Sequence, residues 1–200
     1  MRIITLPYPD NREIAILKDL LNSLDVWVHL RKPTLPIDDL RKYLQQFTAV
    51  ERSRMLLHEH AALAVEYDMP HIHHTAQQRR DWSKTAGLNS ARVIASTSTH
   101  SWADFNGLPA CYRAAFISPI FPSISKSGYG ADEQIPLLGR SNMHTEAVAL
   151  GGISSRSIPD LEGSDFQDFA LCGAFWQAAH PLVEAKRCQE IFKLFRKTRA

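Results

Sequence analysis

The run Ser118-Pro119-Ile120-Phe121-Pro122-Ser123-Ile124-Ser125-Lys126-Ser127-Gly128-Tyr129 gathers hydroxyls, a lysine, two prolines and a glycine directly behind the apolar segment Tyr112–Ile117. Hydroxyls and an ammonium on a loop that leaves a buried strand suit an anionic group. Further on, Ala147-Val148-Ala149-Leu150-Gly151-Gly152-Ile153 repeats the arrangement, a buried run that ends in paired glycines. Glycine has no Cβ to hold a ligand away, so its backbone N–H can approach a phosphate closely. Two strand-end sites of this kind predict a phosphorylated ligand at one face of a parallel sheet. The plainer readings are a solvated Lys126 and a Gly151-Gly152 pair that only permits tight packing.

Histidine is the other unusual residue. The chain has nine, five of them between His58 and His74. Strand alternation turns His71 and His73 to one side, and His58 and His60 likewise share a face. Imidazoles that converge can bind zinc or another transition metal. Hydrogen-bonded histidines at strand ends are the commoner case, and the spacing alone leaves both open.

The elements that must position these groups alternate along the chain. Strand candidates are Arg2–Leu6, Val26–Leu30, Arg54–His58, His71–His73, Val93–Ser98, Ala114–Ser118, Ala147–Leu150 and Phe169–Cys172. Most are apolar at successive positions, as strands covered on both faces should be. Amphipathic stretches separate them. Arg12–Ser23 sets Ile14, Leu17, Leu20, Leu21 and Leu24 at helical spacing, and Ile37–Phe47 does so behind Pro36. Pro181–Thr198 closes the chain as a helix, with the basic tail Lys193–Arg199 at its wet end. Thr75–Ser90 and Gly128–Met143 break the pattern and read as loops around the active face. Eight β–α units predict one compact (β/α)8 TIM barrel over residues 1–200, with an open doubly wound sheet as the competitor. No GxGxxG follows the first strand to support that competitor.

Composition narrows the partners. Twenty-three basic and 21 acidic residues nearly cancel, so no net field calls for nucleic acid or an anionic membrane. There is no apolar run of about 18 residues and no signal-peptide pattern at Met1-Arg2-Ile3-Ile4. Cys111, Cys172 and Cys188 lack metal-type spacing and read as reduced thiols. A cytoplasmic protein that binds small molecules is expected; self-association as a homo-oligomer stays open.

Four strand-end motifs, taken together, resemble the thiamine phosphate synthase and thiazole tautomerase (TenI) family. They are His29-Leu30-Arg31-Lys32, Ser96-Thr97-Ser98-Thr99-His100-Ser101, Ser118-Pro119-Ile120-Phe121-Pro122-Ser123 with Lys126, and Leu150-Gly151-Gly152-Ile153. Family order is kept from about Val26 to Trp176. The resemblance implies thiamine biosynthesis: a hydroxymethylpyrimidine diphosphate loses diphosphate, and a thiazole phosphate captures the cation to give thiamine phosphate. It assigns Arg31 and Lys126 to the diphosphate, with Ser98, Ser123 and Ser125 as hydroxyl donors. Gly151 and Gly152 match the loop that holds the thiazole phosphate, and the resemblance leaves Gly173 to offer a further N–H. His29 stands where the synthases usually carry glutamine, still able to donate to the pyrimidine or diphosphate.

The departures bear on the reaction. Synthases end their third strand in Asn-Asp, the aspartate holding magnesium; this chain reads Leu57-His58-Glu59-His60, which makes Glu59 the surviving candidate ligand. After the fourth strand they carry a second acid, where Ile72-His73-His74-Thr75-Ala76-Gln77-Gln78 has none. Magnesium prefers carboxylate oxygen, so imidazoles in place of acids weaken any Mg2+ site. The lysine that ends the second-strand motif is replaced by Pro33, with Lys32 adjacent. The related tautomerases need no metal and move a proton on a thiazole carboxylate phosphate. Their general acid/base is a histidine after the fifth strand, the position of His100. Synthase is the first reading and tautomerase the alternative. The third is a non-catalytic accessory protein that binds thiazole or thiamine phosphate. An acid close to Glu59 in the fold would favour the synthase, a histidine-lined site the other two.

Overall fold

Eight parallel strands close into a barrel, each paired with its neighbours in sequence. The computed structural model describes residues 1–8, 10–69, 71–85, 94–122 and 135–197. The strands are β1 (Arg2–Ile4), β2 (Trp27–Leu30), β3 (Met55–Leu57), β4 (His71–His74), β5 (Ile94–Thr99), β6 (Tyr112–Ile117), β7 (Glu146–Ala149) and β8 (Asp168–Leu171). Around them lie α1 (Glu13–Ser23), α2 (Ile37–Gln45), α3 (Ala49–Arg52), α4 (Ala61–Glu66), α5 (Ala76–Thr85), α6 (Trp102–Asn106), α7 (Gly173–Gln177) and α8 (Pro181–Lys197). The expected (β/α)8 barrel is the observed one, with strand ends moved by a residue or two.

The expectation of a loop over Thr75–Ser90 is corrected: α5 occupies Ala76–Thr85. Its first turn is held reciprocally, since Gln78 N–H donates to Thr75 Oγ1 (3.3 Å) and Thr75 N–H donates to Gln78 Oε1 (2.8 Å). This capping box starts a helix whose sequence, AQQRRDWSKT, carries no apolar stripe. Within Gly128–Met143, the described part, 135–143, has neither helix nor strand.

Side chains alternate along each strand, and the two faces meet different surroundings. Outward residues such as Val28, Met55, Leu57, Ile72, Ala115 and Ile117 join the helices in the main core. Inside the barrel, Ile4, Ala114, Phe116, Val148 and Ala170 form a second apolar cluster from β1 and β6–β8. The other half of the interior is polar. His29 and His73 lie against Phe116 with ring centroids 4.6 and 5.3 Å away, and His58 stacks on His73 at 4.0 Å. The barrel therefore encloses an imidazole-rich half from β2–β5 and an aliphatic half opposite.

Candidate functional site

The carboxyl ends of the strands form the upper mouth, where the loops after β2, β3, β5, β7 and β8 bring the expected residues together. Arg31 leaves β2 with its backbone fixed: Arg31 N–H donates to Thr5 Oγ1 (2.9 Å), which donates back to Arg31 O (3.3 Å). Its side chain is exposed and, among the described residues, the guanidinium has no partner. His100, just beyond β5, is exposed and places Nδ1 2.8 Å from the Ser118 carbonyl oxygen. A carbonyl only accepts, so Nδ1 carries the proton and neutral His100 keeps its basic lone pair on Nε2.

Gly151 and Gly152 have φ of 98° and 64°, left-handed values that favour glycine. They also touch the loop after β6. A Cβ on Gly151 would lie 2.8 Å from Pro119 Cα, and one on Gly152 2.5 Å from Pro122 O. Tight packing is thus one reason for both glycines. Their N–H groups nonetheless have no acceptor among the described residues. Gly173 opens α7 behind Cys172. Ser123, Ser125 and Lys126 lie outside the described residues.

Three residues near the mouth are committed elsewhere. Lys32, adjacent to the missing second-strand lysine, is fully buried: Nζ donates to Leu6 O (2.8 Å), Tyr8 O (3.0 Å) and Glu13 Oε2 (2.8 Å). Tyr43 donates to the same carboxylate. Burial, with Glu13 beside it, pushes the Tyr43 pKa up, so the hydroxyl stays a donor. This network pins β2 to α1 and α2. Glu59 accepts the Lys32 backbone N–H through Oε2 (2.9 Å) and ties the loop after β3 to that after β2. Ser98 lies 3.0 Å from His73 Nε2 and so faces down into the barrel.

Beneath the mouth sits a cluster that the spacing described only in part. His60 does not share a face with His58; it takes φ 54° ahead of α4 and is exposed. His74 points outward to Tyr112 Oη (3.0 Å), and His71 packs edge-on to Trp27 at 4.4 Å. The group that forms is His29, His58 and His73, each buried and each offering a ring nitrogen within 4.8 Å of the others. His29 Nδ1 is 3.1 Å from His58 Nε2, and His29 Nε2 is buried without a partner. Burial holds all three pKa values down, to about 3 for His58, where Arg31 adds its charge; neighbouring imidazoles add to the effect at His29 and His73. All three are neutral near pH 7. The signal for His29 was its inward position one strand before His58, which becomes legible only once β2, β3 and β4 are known to be neighbours.

A magnesium site of carboxylate type does not fit this floor. Glu59 is tied to a backbone N–H, and the metal-type cluster among the described residues is His29, His58 and His73, with no carboxylate in it. At the opposite mouth, a cavity of about 420 Å³ is lined by Arg2, Trp27, Leu56, His71, Ser96, Arg113, Ala114 and Glu146. Arg2 is held there by Glu146 (2.5 Å) and Asp168 (3.2 Å). That cavity lies at the amino ends of the strands, away from the loops that carry Arg31 and His100.

Solved structures of like fold span nearly the whole chain. A thiamine phosphate pyrophosphorylase from Bacteroides thetaiotaomicron superposes with a TM-score of 0.73 at 22% identity, over 97% of this chain and 98% of that one. One from Pyrococcus furiosus gives 0.69 at 15%, over 97% and 95%. A 3-hexulose-6-phosphate synthase from Salmonella typhimurium gives 0.57 at 11%, over 97% and 99%. No protein-family model matches the sequence, and no curated protein does. At these identities the likeness is one of fold: a compact (β/α)8 barrel shared with thiamine phosphate pyrophosphorylases and with sugar-phosphate enzymes. No described helix is long and apolar enough to cross a membrane.

Proposed function

We propose that the chain is a transferase of thiamine phosphate synthase type. A phosphorylated thiazole sits against the N–H groups of Gly151 and Gly152. A hydroxymethylpyrimidine diphosphate lies beside it with its leaving group toward Arg31. The bond from the pyrimidine methylene to the diphosphate oxygen breaks and its electron pair leaves with the diphosphate. The thiazole nitrogen then donates its lone pair to the methylene to form the new C–N bond. Such a step asks mainly for cations and N–H donors placed where negative charge collects. The observation that carries this reading is an Arg31 guanidinium and two glycine N–H groups on the same mouth, none of them partnered among the described residues. Lys126, Ser123 and Ser125, which follow β6 in the sequence, are assigned to the same diphosphate, and Gly173 to the thiazole phosphate. The likeness in fold to two thiamine phosphate pyrophosphorylases supports the choice of substrates.

A metal-independent thiazole tautomerase is the second reading, and two observations favour it. The Ser118 carbonyl fixes the tautomer of His100 and leaves Nε2 free to take and return a proton. Among the described residues, the one metal-type cluster is three histidines with no carboxylate in it. The test offers the purified protein both substrate sets, with magnesium and then with EDTA. Thiamine phosphate as product supports the transferase. Thiazole isomerisation that ignores EDTA replaces it with the tautomerase. Thiazole phosphate binding without turnover of either set refutes both and leaves an accessory binding protein.

A further inference from the structure

The imidazole cluster inside the barrel has the composition of a transition-metal site. We infer that His29, His58 and His73 together bind one divalent cation that prefers nitrogen donors, zinc first among them. No substrate is needed for this, so the inference stands apart from the reaction proposed above.

Geometry carries it. His29 Nδ1 and His58 Nε2 are 3.1 Å apart. Zinc–imidazole bonds of about 2.0–2.1 Å set the edge of a tetrahedral ligand set near 3.3 Å, so this pair is already at the required separation. His73 completes the set, since each of the three rings offers one nitrogen inside 4.8 Å of the others. Its tautomer is arranged for the purpose. Ser96 Oγ donates to the Ile72 carbonyl oxygen (3.3 Å), which leaves its lone pairs for His73 Nδ1–H (2.9 Å). The acceptor nitrogen is therefore Nε2, and Ser98 is its present partner at 3.0 Å. A ligating histidine normally donates its other N–H to a fixed acceptor, which is the part Ser96 plays.

One further feature points the same way. The three rings sit in one half of an otherwise apolar interior, against Phe116, where neutral nitrogen donors are desolvated and ready to bind. Three protein ligands leave a fourth position for water or an incoming oxygen. His58, 8% exposed and beside Arg31, is the member nearest the mouth. Hard magnesium is the wrong partner for three imidazoles, so millimolar Mg2+ should not compete.

The full chain, stripped with EDTA, is titrated with Zn2+ and separately with Co2+. The expected result is one equivalent bound, intense visible Co2+ bands of four-coordination, and no displacement by magnesium. His58→Ala and His73→Ala should each weaken cobalt affinity at least 100-fold, while His60→Ala and His180→Ala leave it unchanged. Ser96→Ala should weaken it about 10-fold through loss of the positioning bond. X-ray absorption at the zinc edge of the wild-type protein needs no variant and should count three imidazoles. Fewer than three imidazoles, absence of stoichiometric binding, or affinity lost with His60 rather than His58 would overturn the inference.

Discussion

Lys32→Met is expected to be among the most destabilising single changes near the upper mouth, with no direct effect on ligand binding. The Lys32 and Glu13 side chains are 1% and 0% exposed, and their closest atoms are 2.7 Å apart. Methionine matches the length of the stem but removes the ammonium. Glu13 is then left buried with Tyr43 as its remaining donor, and the carbonyl oxygens of Leu6 and Tyr8 lose theirs. Breaking a buried pair from one side costs about 3–5 kcal/mol, because the abandoned charge stays desolvated. Against a total stability of about 5–15 kcal/mol, that is roughly a fifth or more of what holds the barrel folded. At an m value of about 2 kcal/mol/M, the urea midpoint should fall by roughly 2 M. The double variant Lys32→Met/Glu13→Leu should recover much of this loss, since no charge is then stranded, and the cycle should show coupling of about 2 kcal/mol or more. Equilibrium urea unfolding followed by tryptophan fluorescence measures both. A midpoint shift below 0.5 M (about 1 kcal/mol at that slope) would refute the argument, as would additive single and double changes. Unchanged stability with lost diphosphate affinity would place Lys32 in the ligand site instead.

Four other outcomes are expected. Arg31→Ala should raise the KM for the pyrimidine diphosphate about tenfold or more, with unfolding unchanged, because its exposed guanidinium has no partner among the described residues; steady-state kinetics and a melt decide this. His100→Asn should abolish thiazole isomerisation and slow thiamine phosphate formation much less, and equal loss of both would remove the distinction drawn between the two readings. Gly152→Ala should cost about 2 kcal/mol or more, since the new Cβ meets Pro122 O at a left-handed φ; a neutral urea midpoint would show that the loop yields freely. With chelator present, stability should decline as pH falls through 6.5. The folded pKa of His58 is pushed down to about 3, so across that window the unfolded chain takes a proton that the folded chain refuses. Each such group lowers stability by about 1.4 kcal/mol per pH unit; a flat profile between pH 7.5 and 5 would show that protons reach the cluster in the folded state.

The barrel was legible because strands covered on both faces need apolar residues at successive positions, and eight such runs stand out between amphipathic stretches. The elements that escaped notice were α3, α4, α6 and α7, at four to six residues too short to display a helical period. Helix α5 escaped for another reason: it has length but no apolar face. At the site, alternation correctly grouped His71 with His73 on the inner face. It failed at His60, where the chain had already left β3 for a left-handed turn. Lys32 shows the deeper limit. Whether a lysine beside a strand-end motif faces ligand or core depends on Glu13 and Tyr43, which come from two other elements, and no local pattern carries that information. His29 joined His58 and His73 for the same kind of reason, through the order of strands around the barrel.

Ser96 has a place on both sides of the barrel's middle layer. It lines the lower cavity and also holds His73 Nδ1. A single hydroxyl therefore joins the lower room, the cavity among Arg2, Trp27 and Arg113, to the imidazole cluster above it. The underside reaches the ring of His73 through that atom and through the charge of Arg2, by a route separate from the loops of the upper mouth. The scaffold thus offers a back door for tuning: the lower room can be reshaped to bias an imidazole whose working nitrogen faces the other way.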